Sequence, residues 1–243
     1  METTLSLQQE IEIMKELEKY DTPTITNVVA TYPGKRTCLS LFEPWNTDWY
    51  TDQTCKAMFP ELGSRCGFAV TCVYGIPDSN FKGGPGVGDV LRAVGRSPKP
   101  AVLILKQDVE EKYRKKFGLL GANMSAAFKS AGCNAIITDG PSRDVDDVRK
   151  MDIQYMITGT SAGHGPMGVK AVNIPVTVCS MAVAPGDIIH LDVNGAVKFP
   201  REYLADVLEK CKELSEMESK KIEMLSSTSD VELLANYMMG VYD

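Results

Sequence analysis

Two short apolar runs constrain this chain more than any other feature. "PAVLILKQD" (residues 100–108) and "NAIITDG" (residues 134–140) are each of strand length and continuously apolar. That pattern predicts strands covered on both faces. Between them, Met124, Ala127, Phe128 and Ala131 form a helical stripe, and Gly132 stands where a helix-ending glycine belongs. After the second run, Val145, Val148 and Met151 predict the inner face of another helix, and "YMITGT" predicts another strand. Strand and helix alternate, so the middle of the chain is expected to be a layered α/β fold.

The flanks are less regular. Leu7, Ile11, Met14 and Leu17 predict an N-terminal helix over about residues 5–20, and a second helix opens near Pro23. Residues 35–65, with Trp45, Trp49, Tyr50 and Phe59, show no period and are read as an irregular insertion. "RCGFAVTCVYGI" (residues 65–76) reads as a strand, and "DVLRAVGRSP" as a short helix. "VNIPVTVCSMAV" predicts further strands, and "PGDIIHLDVNGAVKFP" a hairpin turning at Asn194-Gly195. A charged helix with Leu204, Val207, Leu208, Cys211 and Leu214 on its apolar face begins the C-terminal extension, residues 201–243. With no repeat or low-complexity linker, one domain over residues 1–243, with a core of about 20–205, is expected.

Charge and composition exclude some functions. Lys and Arg number 26 against 32 Asp and Glu, a net charge of −6. Such a chain repels a phosphate backbone, so no nucleic-acid partner is expected. The seven cysteines are scattered without a CxxC pair, which fits free thiols in a reducing compartment. No signal-peptide pattern or bilayer-length apolar run is found, so a cytoplasmic protein without a membrane partner is expected. With His164 and His190 as the only histidines, a His-rich metal site is improbable. A hard ion such as Mg²⁺, held by carboxylate, water and substrate oxygens, needs none. "GGPGVGD" (residues 83–89) fails the G-x-G-x-x-G test, because Asp89 or Leu91 falls where the third glycine belongs. A flexible loop is expected there, not a nucleotide site.

Two glycine-containing turns remain. "GLLGANM" (residues 118–124) precedes the first central helix, whose N-terminus offers unpaired N–H groups to a carboxylate. "DGPSRD" (residues 139–144) follows the next strand. In open α/β sheets, ligands gather at the carboxyl ends of strands, so neighbouring strands would turn both stretches into one crevice. By themselves Arg143 and Asp144 have two readings. Asp144 could cap the following helix, with Arg143 a surface charge. Or both could be the working end of a site.

The ordered set "LLGANMSAAFKSAGCNAIITDGPSRDVDDVRKMD", "GTSAGHG" and "VNIPVTVCSMAVAPGDIIHLDVNGAVKFP" resembles the RraA-like family. That family includes 4-hydroxy-4-methyl-2-oxoglutarate aldolases and regulators of ribonuclease E activity. The resemblance spans most of residues 20–205, without residues 35–65 or the C-terminal tail. It implies a layered α/β/β swivelling-type domain with a mixed sheet, assembled as a homotrimer or homohexamer. It implies that Arg143 binds a small 2-oxo acid substrate and Asp144 binds Mg²⁺ or Mn²⁺. The substrate carboxylate would lie on the backbone of Gly121, Ala122, Asn123 and Met124.

The resemblance thus implies a lyase that cleaves or decarboxylates a 2-oxo acid, leaving a pyruvate enolate stabilised by the ion and by Arg143. Two positions depart from the family's aldolases. Ala122 stands where an acid often follows the turn glycine, and "DVNG" keeps Asp192 but has Asn194 for the second acid. The alternative is a non-catalytic RraA-like binding or regulatory protein.

Overall fold

A computed structural model describes residues 5–32, 36–77, 80 and 83–239. Position 35 of the aromatic segment, parts of the glycine-rich stretch (78, 79, 81 and 82) and positions 240–243 of the tail lie outside the described residues. In chain order the first elements are α1 (Leu7–Leu17), α2 (Thr22–Val29), β1 (Lys56–Ala57), β2 (Arg65–Gly75), α3 (Val87–Arg96) and β3 (Ala101–Asp108). Then come α4 (Glu111–Arg114), α5 (Ala122–Ser130), β4 (Cys133–Thr138), α6 (Val145–Val148) and β5 (Gln154–Ile157). The rest are β6 (Gly168–Val172), β7 (Val176–Val178), β8 (Met181–Val183), β9 (Ile188–Asp192), β10 (Gly195–Phe199), α7 (Leu204–Ser226) and α8 (Val231–Met239).

The mixed sheet runs β1-β5-β4-β3-β2-β9-β10, with β6 on β2. Strands β2, β3, β4 and β5 are parallel, as the alternating pattern requires; β9 joins β2 antiparallel. The sheet nearly closes on itself. Tyr50 bridges Val197 on β10, and six residues later Lys56 pairs with Ile157 on β5. The aromatic segment read as an insertion therefore spans from the β10 edge to the β5 edge and covers part of both.

Period-2 alternation sorts the strand residues. One set, including Leu103, Leu105 and Ile136, packs outward under α3 and α5 with Phe128. The other set, Val102, Ile104, Ala135, Ile137 and Met156, points inward and packs on the β7–β8 hairpin. At the far end Met14, Leu17, Ile25, Val28 and the apolar face of α7 form a further cluster. The expected layers of helix, main sheet and second β layer are all present.

Two local expectations need correction. The β9–β10 turn is Val193-Asn194, because Gly195 already pairs with Asp192. On α1, Leu7 is exposed and the buried face is Glu10, Met14 and Leu17. Glu10 can be buried because Arg201 pairs with both its oxygens, at 2.6 and 2.7 Å. No helix among the described residues is long and apolar enough to cross a membrane.

Candidate functional site

Because β3 and β4 run parallel as neighbours, the turns after them share one end of the sheet. Backbone hydrogen bonds stitch them together: Leu119 N–H to the Pro141 carbonyl (2.9 Å) and Arg143 N–H to that of Leu120 (2.8 Å). The loop after β5 joins them through Ser142 N–H to Gly159 O and Ser161 N–H to Ser142 O, both 3.0 Å. Gly118 N–H reaches Gly163 O at 2.8 Å, so three consecutive strand ends converge. The two turns lie against each other at one end of the sheet, as expected if their strands are neighbours.

Asp144 sits at the N-cap position of α6, in the left-handed region (φ 56°, ψ 36°), and makes no side-chain cap bond to that helix. The expected local cap is therefore overturned. Its Oδ2 instead accepts a hydrogen bond from Ala122 N–H, 2.9 Å away, at the start of α5. The N-cap of α5 is Gly121, which has no side chain to do this. The left-handed turn aims the carboxylate at a neighbouring helix's positive end, where a negative charge is favoured. Aspartate tolerates that backbone better than most residues.

Both turn glycines are there because side chains come close. A Cβ on Gly121 would lie 2.6 Å from Asp144 Oδ2, and one on Gly118 would lie 2.8 Å from Arg143 Cγ. Arg143 is half-buried along Gly118 and Asp144 is exposed. The four N-terminal positions then divide. Gly121 allows close approach, and the Ala122 N–H is occupied by Asp144. Ser125 N–H starts the intrahelical bonding to Gly121 O, which leaves the Asn123 and Met124 N–H groups without helical acceptors.

Ser125 was not legible as a site residue. It is buried, and its hydroxyl bonds Gly121 O (2.9 Å) and the Tyr155 hydroxyl. Burial pushes the Tyr155 phenol up to about 12, so it stays a neutral partner that ties the first turn of α5 to β5. The only sequence signal was a serine three residues before Phe128 on a helix's inner face.

Asp192 lies elsewhere in the chain. Strand β9 is antiparallel to β2, with Leu191 opposite Arg65, so Asp192 stands beside the start of β2. That is the opposite end of the sheet from the α5 N-terminus. Its oxygens accept Thr22 N–H (2.8 Å) and Asn194 N–H (2.7 Å). Nearby His190 is fully buried against Thr22 and Leu17, and desolvation pulls its pKa down to about 4. It is a packed histidine. His164 is exposed beside Gly163. Among the described residues no three His, Cys, Asp or Glu side chains gather as a metal cluster.

The profile of the RraA-like family, described as Aldolase/RraA, matches residues 45–198. The chain belongs to the RraA-like family. The match begins inside the aromatic segment that had been set outside the resemblance, as befits its role in closing the sheet, and leaves residues 20–44 uncovered. An uncharacterized protein of Methanocaldococcus jannaschii is 30% identical over 116 residues, 47% of this RraA-like chain and 55% of that protein. A putative 4-hydroxy-4-methyl-2-oxoglutarate aldolase of Halalkalibacterium halodurans is 27% identical over 85 residues, 35% of this chain and 40% of that protein. The chain thus spans about half the length, or less, of these relatives. A solved Streptomyces coelicolor protein, an unusual member of the RNase ES inhibitor RraA protein family, shares the fold. It has a TM-score of 0.66 at 20% identity, over 86% of this chain and 94% of its own. The RraA-like family thus contains both aldolases and ribonuclease inhibitors.

Proposed function

We propose that the chain is a divalent-metal-dependent lyase of the 4-hydroxy-4-methyl-2-oxoglutarate aldolase type, which cleaves or decarboxylates a small 2-oxo acid. The observation that carries this reading is the Asp144 carboxylate seated on the N-terminus of α5, beside Arg143. The free Asn123 and Met124 N–H groups receive the substrate carboxylate. Arg143 orients the oxo acid and sets a fixed cation against the negative charge that develops as the bond beside the keto group breaks.

The residues present fit Mg²⁺ or Mn²⁺. Among the described residues only Oδ2 of Asp144 carries a hydrogen bond, which leaves Oδ1 available, and a hard ion can be held by one carboxylate with waters and substrate oxygens. Asp144 would hold the ion, and when bound it adds a second positive charge at the reacting end of the substrate. This reading takes the protein as a cytoplasmic homo-oligomer, a trimer or hexamer, whose mass in solution light scattering would report.

A specific observation favours a second reading, a non-catalytic RraA-like binding protein. Ala122 supplies no carboxylate, and its N–H is already committed to Asp144. One experiment separates them: incubation with Mg²⁺ or Mn²⁺ and oxaloacetate or a 4-hydroxy-2-oxo diacid, following pyruvate. The lyase reading expects pyruvate from the native protein and none from Arg143→Ala or Asp144→Ala. Turnover that survives both substitutions would sink the site. No turnover across a broad oxo-acid panel would favour the binding protein.

A further inference from the structure

The sheet that carries Arg143 and Asp144 on its outer side has a mouth on its inner side. Ile104, Ile137 and Met156 point into the closed sheet. Two residues further along β3, β4 and β5, the alternation brings Lys106, Asp139 and Thr158 to the rim on that same inner side. They line a cavity of about 700 Å³ whose other walls come from the β7–β8 hairpin and the segment that closes the sheet. Neither Arg143 nor Asp144 lines it. Its size falls in the roughly 300–1,000 Å³ range of small-molecule sites, and barrel mouths are a favoured place for them.

The hydrogen-bonding valences in this mouth are unequal. Two of its three acids are hydrogen-bonded within the protein, the mostly buried Asp139 and the exposed Asp52. Asp139 accepts from Lys106 Nζ and from Gln107 N–H at 2.6 Å, with 9% of its side chain exposed. Asp52 accepts from Thr54 N–H at 2.8 Å and from the Thr54 and Ser180 hydroxyls. The third acid, Glu111, stands at the rim, 83% exposed, and pairs with Arg114 Nε at 3.2 Å, a solvent-screened pair that an incoming anion can replace. The donors are only partly spent: Lys106 is bonded to Asp139 and Arg114 is paired with Glu111. Among the described residues the Lys115 ammonium has no ion-pair partner, and Arg114 Nε is held only by Glu111, in a solvent-facing pair whose geometry makes no hydrogen bond. The hydroxyls of Thr158, Thr160 and Thr177 line the cavity, and none makes a hydrogen bond among the described residues. The hairpin tip is held in an expensive shape: Cys179 and Ser180 are both left-handed, at φ 47° and 67°. Residues kept in such conformations cluster at ligand sites, at a cost of about 1–3 kcal/mol each.

We propose that this mouth is a second binding site, distinct from the Arg143–Asp144 crevice, for a small organic oxyanion bearing a phosphate or carboxylate group. Arg114 and Lys115 neutralise the charged group, Lys106 offers its remaining N–H bonds, and the three threonines hold the neighbouring oxygens.

Isothermal titration of the whole protein with inorganic phosphate, glycerol 3-phosphate and succinate, at matched ionic strength, tests this. Saturable binding is expected for at least one probe, and the tighter of glycerol 3-phosphate and succinate identifies the charged group. The double variant Arg114→Gln, Lys115→Gln is expected to weaken binding about tenfold or more, the scale of a lost charge-assisted contact. Both side chains stand at the rim, and unchanged circular dichroism would confirm folding. Thr160→Val gives a milder loss, and Arg143→Ala leaves binding unchanged. No saturable heat with any probe would overturn the proposal. So would binding lost in Arg143→Ala and kept in the double variant, which would place the anion in the crevice instead.

Discussion

Asp144 Oδ2 accepts the backbone N–H of Ala122 at 2.9 Å, across 22 positions of chain. One carboxylate thereby caps a helix that does not follow it and stays beside Arg143, with its second oxygen unbonded among the described residues. The cap on the following helix is not made; Asp144 caps α5 through Oδ2, and Oδ1 is the oxygen that the proposed metal site would use.

Separating those two jobs is a matter of chemistry. Asp144→Asn keeps an acceptor and tolerates the left-handed backbone, so unfolding by denaturant should shift little. Asp144→Ala removes the cap and should cost about 1 kcal/mol. Both should abolish metal-dependent pyruvate release. A catalytically intact Asp144→Asn would show that the carboxylate is structural only.

Gly121→Ala should act through space. The added methyl would stand 2.6 Å from Asp144 Oδ2, so the carboxylate must leave Ala122. A displacement of about 1 Å at a reacting group can cost roughly 100-fold, and a loss of that order in kcat/KM is expected with the fold retained. Steady-state kinetics beside a melting curve would check it.

The Arg201–Glu10 pair joins the turn before α7 to α1, and Glu10 is only 4% exposed. Arg201→Ala strands that carboxylate and also removes the guanidinium over the Phe68 ring. A buried pair broken on one side costs about 3–5 kcal/mol; with Arg201 partly in solvent, about 2 kcal/mol is expected from urea unfolding. Glu10→Gln in the Arg201→Ala background should recover part of it.

His190 gives the fold a pH dependence. Its folded pKa, about 4, lies below the ordinary 6.5 because desolvation disfavours the imidazolium. The unfolded chain therefore takes the proton first. This contribution is fully present above pH 6.5 and is lost as pH falls towards 4, by up to about 3 kcal/mol. Urea midpoints between pH 7 and 4 should show it, and His190→Gln should flatten that part of the curve.

Much of this was legible from local pattern. The runs at residues 100–108 and 134–140 became adjacent parallel strands, and Gly132 ends its helix at φ 104°. The two turns share an end of the sheet because parallel neighbours leave no other arrangement. The role of residues 45–65 was not legible, since closing the sheet takes only isolated contacts such as Tyr50 to Val197, which leave no periodic trace. Asp192, the acid kept in "DVNG", stands at the opposite end of the sheet because β9 runs antiparallel to β2.

The sequence by itself determined the alternating elements, their inner faces and the pairing of "DGPSRD" with a helix-opening turn, because these follow from side-chain period and turn chemistry. Only the tertiary structure decided which helix Asp144 caps and that Asp139, five residues earlier, faces the opposite side of the sheet. Both depend on backbone direction at single residues, a left-handed turn at Asp144 and the inward phase of β4 at Asp139, and on which strands became neighbours.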